Sequence, residues 1–190
     1  MKLETKAKRI SAVISLDGYD DPDAIFSIKG KILDWLHEEK ATRFAYILHD
    51  ADNRDDGTPK LPHIHIYAEF PCSGRRLGTY LNLMAGSLGI NPFAISIERA
   101  NDPEEVIKYL IHKNAPEKYQ YSADEVITNI PKDEFDMIIN SESVAFTVDY
   151  VIDTWKTCGG VMRDFIRIIG IERYRMYRPV IYDILGLRRH

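Results

Sequence analysis

The alternating run His63-Ile64-His65-Ile66, inside the stretch 63–70, constrains the fold more than any other part of this chain. Side-chain direction in a strand repeats every second residue, so both imidazoles leave one face and both isoleucines the other. The isoleucines call for burial, whereas burying a face with two unpartnered imidazoles is costly. The run therefore predicts a sheet strand that packs its isoleucines inward and holds its histidines as a parallel pair on the opposite face. Residues Arg43 to Leu48 read as the neighbouring strand. The polar stretch 52–62, punctuated by Gly57, Pro59 and Pro62, reads as the connecting loop, so the two strands pair as a hairpin.

The other elements fall into order around this hairpin. Arg9 to Leu16 reads as a first strand. Asp21 is placed to cap a helix with Pro22 in its first turn, and Ile25, Ile28, Ile32 and Leu36 give Ala24 to Glu39 helical spacing. Arg75 to Leu88 predicts a second helix ending at Gly89, Ala94 to Glu98 a fourth strand, and Pro103 to Lys113 a third helix. The order β-α-β-β-α-β makes the chain an α+β protein of the split βαβ type, ferredoxin-like or RRM-like, with an antiparallel sheet and helices on one face. Its first and third strands would be central. The expected division is a domain over 1–125, a linker over 126–142 containing Pro131, and a small all-helical module over 143–190. In that module Val144 to Thr157, Val161 to Ile169 and Glu172 to Leu185 are helical, broken at Gly159-Gly160 and Gly170.

Composition narrows the setting. A chain of 190 residues suffices for one domain with a real core and an appendage. No apolar run is long enough to span a bilayer, and the N-terminal residues lack the apolar core of a signal peptide, so the expectation is a cytoplasmic protein with no membrane partner. Cys72 and Cys158 are isolated and read as reduced thiols. The net charge of −4 is unevenly spread: −1 over residues 1–100, −8 over 101–155 and +5 over 156–190. A basic tail behind an acidic middle suits a protein that meets DNA through selected surfaces, and equally suits a solvated Arg-rich helix face.

The histidine pair carries the chemistry. A lone histidine usually has a structural role, and His37 and His190 are read that way. His63 and His65 differ because they project together from a rigid strand, while His49 ends the preceding strand with Asp50 and Asp52 following it. Asp52 is the preferred carboxylate, since Asp50 points to the other face or caps the loop. The resulting set is His49, Asp52, His63 and His65. Imidazole with carboxylate and no thiolate suits Mn²⁺ or Zn²⁺, tolerates Mg²⁺, and leaves room for a substrate oxygen.

Tyr109 lies on the third helix, with His112 and Lys113 following at i+3 and i+4, while Ile107, Leu110 and Ile111 serve the buried side. Taken alone, it is an ordinary half-buried amphipathic residue. An unperturbed phenol titrates near pH 10, so a nucleophilic tyrosine needs cationic help, which a metal and Lys113 could give. Tyr119 and Tyr121 are rival candidates in a looser segment.

In combination, His49-Asp50-Ala51-Asp52, Pro62-His63-Ile64-His65-Ile66 and Tyr109-Leu110-Ile111-His112-Lys113 resemble the rolling-circle plasmid replication initiators of the HUH (His-hydrophobic-His) endonuclease superfamily, over roughly residues 8–125. The resemblance implies that His49, Asp52, His63 and His65 bind a divalent metal, Mn²⁺ or Mg²⁺ first and Zn²⁺ as a further option. It implies that Tyr109 attacks a single-stranded or hairpin origin DNA, leaving a 5′-phosphotyrosine and a free 3′-OH. Related viral initiators often hold a lysine three residues after the tyrosine; here His112 takes that place and Lys113 follows. No Walker A motif is present, so a host helicase and polymerase are the expected partners.

For the C-terminal module, Arg163, Arg167, Arg173, Arg175 and Arg178 interleaved with Phe165, Tyr174 and Tyr177 suggest a helix-turn-helix, which Pro179 weakens, or an oligomerisation module. Two other functional readings stand beside the initiator. One is a small relaxase or transposase of the same chemistry. The other is a non-catalytic nucleic-acid-binding domain of RRM type, which would want exposed aromatics where the third strand presents histidines.

Overall fold

The computed structural model describes residues 3–19, 21–54, 56–71, 74–141, 148–169 and 171–187. Cys72, Gly170, His190 and the helix start expected at Val144 lie outside the described residues, as do the side chains of Arg173, Arg175, Tyr177 and Pro179. The chain divides into two compact units, Met1–Ser141 and Glu142–His190.

In the first unit, β1 (Lys6–Ala7) is followed by β2 (Arg9–Ser15), where Ile10, Ala12 and Ile14 are buried and the intervening residues are half-exposed. The helix α1 (Pro22–Glu38) starts as expected: Asp21 accepts a hydrogen bond from the Asp23 N–H, and Ile28, Ile32, Trp35 and Leu36 form its buried stripe. The hairpin strands β3 (Arg43–His49) and β4 (His63–Glu69) pair antiparallel from Arg43 opposite Glu69 to His49 opposite His63. β5 (Arg75–Arg76) pairs with β1, so the first two residues of the expected second helix are strand, and α2 covers Leu77–Leu88. Gly89, at φ +67°, closes α2 in the left-handed conformation that glycine adopts most easily. β6 (Ile95–Arg99) and α3 (Pro103–Leu110) follow, the latter capped by Asp102.

The main sheet is antiparallel in the order β6-β2-β4-β3, with β7 (Ile127–Thr128) added at the β3 edge. β2 and β4 are central, as the split βαβ arrangement requires. One face packs Ile10, Ile14, Phe44, Tyr46, Ile64 and Ile66 against α1 and α2. The other face is covered too, which the one-layer expectation did not include. Ala45, Ile47 and Tyr67 on that face pack against α3 and α4 (Lys132–Asn140), through Ile107, Leu110, Phe135 and Ile139. Both β3 and the far end of β4 are apolar on both sides, so each side needs cover. Where a linker was expected over 126–142, the chain instead builds β7 and α4, and the first unit runs to Ser141.

Trp35 is 1% exposed and sits in the first core with its ring edge-on to Phe70. Trp35→Ala should destabilise the unit by about 3–5 kcal/mol, read as a lower urea midpoint with an unchanged slope; a midpoint shift worth under about 1 kcal/mol would show that this core is not continuous.

In the second unit, α5 (Val148–Thr157), α6 (Met162–Ile169) and α7 (Ile171–Ile184) enclose Val151, Phe165, Ile169 and Ile181. Gly159 and Gly160, at φ +59° and +75°, turn the chain between α5 and α6. α7 continues through Pro179.

Candidate active site

The strand register dictates the centre of the site. His63 and His65 leave β4 on one face, and His49, the last residue of β3, stands directly across from His63. The ring centroids of His49 lie 5.3 Å from those of His63 and 4.5 Å from those of His65, and His63 and His65 are 5.0 Å apart. After His49 the chain turns, which returns Asp52 beneath the rings and leaves Asp50 exposed. The Asp52 carboxylate is buried, with Oδ2 3.4 Å from His49 Nδ1 and 3.5 Å from His63 Nε2. A fourth imidazole, His112, joins from beyond α3, its Nδ1 3.7 Å from Asp52 Oδ1 and its ring 4.4 Å from that of His49.

Backbone carbonyls set the tautomers. A carbonyl can only accept, so His49 Nε2, 2.7 Å from the Leu110 oxygen, carries the proton and leaves Nδ1 with a lone pair. By the same argument His63 Nδ1 donates to the Leu61 carbonyl at 2.9 Å, and His112 Nδ1 to the Tyr119 carbonyl at 2.7 Å. His49 Nδ1 and His112 Nε2 are then buried without any hydrogen-bond partner. Rings whose outer nitrogen donates to the backbone while the inner one is orphaned are arranged like metal ligands held from behind. Burial pushes the His49 imidazolium pKa down to about 4, against the opposing pull of the Leu110 hydrogen bond, and pushes His65 down to about 2. It lowers His63 as well, so these rings are neutral at pH 7, with lone pairs not taken up by protons.

The ligand-competent atoms of His49, His63 and His65 lie within 4.8 Å of one another, as do those of His49, Asp52 and His112. This buried histidine and aspartate cluster is suited to hold a metal ion, and the orphaned nitrogens are the observation that makes it fit. Lys60 Nζ meanwhile reaches His63 Nε2 at 3.1 Å, supplying positive charge beside the same lone pair.

Tyr109, on the last turn of α3, closes one side. Its ring packs edge-on at 5.4 Å from His65 and 5.0 Å from His112. α3 stops at Leu110, short of the expected Lys113, and His112 takes a left-handed φ of +56°, a sparse conformation for a residue with a Cβ. That break turns His112 inward and leaves Lys113 exposed. The cation on the Tyr109 hydroxyl is Lys118, whose Nζ donates to it at 2.5 Å, and this bond raises the lysine's pKa.

The rival tyrosines have other roles. Tyr121 is buried and stacks on His49 at 4.3 Å; its hydroxyl donates to Asp52 Oδ1 at 3.1 Å and accepts from the Ala51 N–H at 3.0 Å. Burial pushes its phenol pKa well above the ordinary range. Tyr119 is exposed and contributes its carbonyl to His112. Sequence reading missed Lys118 as the tyrosine's partner, His112 as a donor and Tyr121 as the support of Asp52. All three depend on the irregular turn over 111–121, which has no periodicity to read. The two hydrophilic neighbours of Tyr109 at helical spacing pointed instead to Lys113.

No helix among the described residues is long and apolar enough to cross a membrane. No curated protein matches this chain. The family model described as plasmid replication protein, origin binding domain, matches residues 23–138, a span that contains His49, Asp52, His63, His65, Tyr109, His112, Lys118 and Tyr121. The chain therefore belongs to the plasmid replication protein, origin binding domain family, as an initiator of plasmid replication that binds origin DNA.

Proposed function

We propose that this initiator nicks and rejoins one strand of its origin DNA through Tyr109. The reading rests above all on the contact between the Tyr109 ring and His65, which puts a phenol at the rim of the imidazole cluster. In the forward step the Tyr109 oxygen bonds to the scissile phosphorus and the P–O3′ bond breaks. The leaving oxygen takes up a proton and becomes a free 3′-OH, the 5′-phosphate stays on the tyrosine, and the phenol proton passes to solvent. Attack of a 3′-OH on the phosphotyrosine reverses these bond changes, so no nucleoside triphosphate is consumed. His49, Asp52, His63 and His65 would hold a divalent cation, Mn²⁺ or Mg²⁺ and by donor type also Zn²⁺, which when bound would supply Lewis-acid neutralisation of phosphate charge.

The chain's own groups do the remainder. Leu110, Leu61 and Tyr119 carbonyls hold three imidazoles in fixed tautomers. Tyr121 holds Asp52 against them. The Lys118 ammonium compensates the negative charge on the Tyr109 oxygen once its proton has left. Membership in a plasmid replication family favours replication over transfer or transposition as the setting, with a host helicase and polymerase extending the 3′-OH. The C-terminal helical unit is assigned to oligomerisation or DNA docking.

Labelled single strands tiling the origin, incubated with the protein and Mn²⁺, should yield a detergent-resistant protein–DNA adduct and a shortened strand ending in 3′-OH. Absence of an adduct with every strand would leave origin binding alone. Lys118→Met should slow adduct formation roughly tenfold or more, whereas Lys118→Arg, which keeps the cation, should retain most of the rate. An equal deficit in both variants would assign Lys118 a packing role instead.

A further inference from the structure

A cavity of about 510 Å³ opens directly beside Tyr109 and His65, between the β2–β6 half of the sheet and α3, and no part of the nicking step uses it. Its size lies within the roughly 300–1,000 Å³ of small-ligand sites. We infer that it receives the nucleobase adjoining the scissile phosphate, and that it selects a base bearing an exocyclic amino group. This inference rests on the nicking reading, because it takes the phosphate beside that base to be the one facing Tyr109.

The strand register makes the cavity floor an extension of the histidine row. Val13 on β2 stands opposite His65 on β4, and Ser11 stands opposite Glu98 on β6. Val13, Val106 and the Tyr109 ring give apolar surfaces for the faces of a flat heterocycle. Charge argues against the sugar–phosphate backbone as occupant: Glu98, Asp102 and Glu105 line the cavity and Arg99 is its single positive side chain. A neutral base with N–H donors meets no such repulsion.

The acceptors are specific. Asn114 is held by its amide nitrogen, which donates to the Glu105 carbonyl at 3.1 Å and to Glu105 Oε2 at 2.9 Å. Those two bonds orient the amide and leave Asn114 Oδ1 buried with no partner at all. Asn114 lines the cavity, so a small shift of its side chain would present this unpaired acceptor to a donor on a ligand. Glu98, exposed on the opposite wall, adds carboxylate oxygens. An amino group on cytosine, adenine or guanine carries two hydrogens to offer to such acceptors. Thymine has no amino group and offers one N3–H flanked by two carbonyl oxygens, and those oxygens face Glu98 and Asn114 Oδ1 unfavourably.

The test uses the full chain with EDTA, so that binding is read without cleavage, and fluorescein-labelled dC12 and dT12, in which every register offers the same base. Anisotropy titrations should show dC12 binding about tenfold tighter than dT12, the worth of one or two hydrogen bonds. Asn114→Ala or Glu98→Gln should shrink that ratio to within about twofold by weakening dC12 and not dT12. Equal affinities in the wild type, or a preference that survives both substitutions, would overturn the inference. Glu98 is exposed, so Glu98→Gln retains the fold if Asn114→Ala does not. Adduct formation is scored separately with Mn²⁺. A base preference without any adduct sinks the nicking reading, whereas an adduct without a preference that these residues control sinks the pocket alone.

Discussion

Tyr109→Phe is expected to abolish the covalent protein–DNA adduct, lowering its rate on the order of 10⁴-fold or more, while leaving origin binding within about twofold of wild type. The substitution removes one oxygen and keeps the ring, whose edge contacts with His65 and His112 carry the packing. Stability should therefore change by no more than about 0.5 kcal/mol, and Mn²⁺ affinity should hold. The adduct assay and a binding titration on one preparation separate these effects. An adduct that persists, mapped by peptide sequencing to Tyr119 or Tyr121, would move the attacking group. Tyr121 is the harder alternative, since both hydrogen bonds of its hydroxyl are committed to Asp52 and Ala51.

The second large effect concerns the cation. Wild-type protein should bind one Mn²⁺ by calorimetry, and His65→Ala should weaken that binding on the order of 100-fold or more, with adduct formation lost in parallel and restored in neither case by Lys60. The pH behaviour follows from burial. In the unfolded chain these imidazoles take up protons near pH 6.5, whereas His49 is held near 4 and His65 near 2 when folded. As pH falls below about 6.5 the unfolded state gains protons that the folded state refuses, so stability without metal should decline from there towards pH 4. Thermal midpoints measured with EDTA across that window check the sign. Midpoints that rise on acidification would mean that the cluster already holds protons near neutrality.

The hairpin and its histidines were legible because period-two alternation survives any tertiary context: His63 and His65 had to share a face, and the register then set His49 against His63. The preference for Asp52 over Asp50 was legible for a similar reason, since a strand end followed by a turn returns the third residue and not the first. The second helical layer was not. Its traces were Ala45 and Ile47 on the histidine side of β3 and Tyr67 on that side of β4, and α4 sits in a polar stretch whose Phe135 and Ile139 are too few to announce a buried stripe. Lys118 was hidden for another reason. It reaches Tyr109 across a turn begun by the left-handed His112, and an i, i+9 contact over irregular backbone follows no pattern that spacing can disclose.

The Leu110 carbonyl has a wider consequence. Helix ends fray readily, yet the final carbonyl of α3 is also the acceptor that orients His49. Unwinding that last turn would release the ring and carry the neighbouring phenol away in one motion. Cation affinity and the aim of Tyr109 are thus thermodynamically linked: whatever tightens one should steady the other, and a loaded site with the last turn of α3 unwound is a disfavoured species.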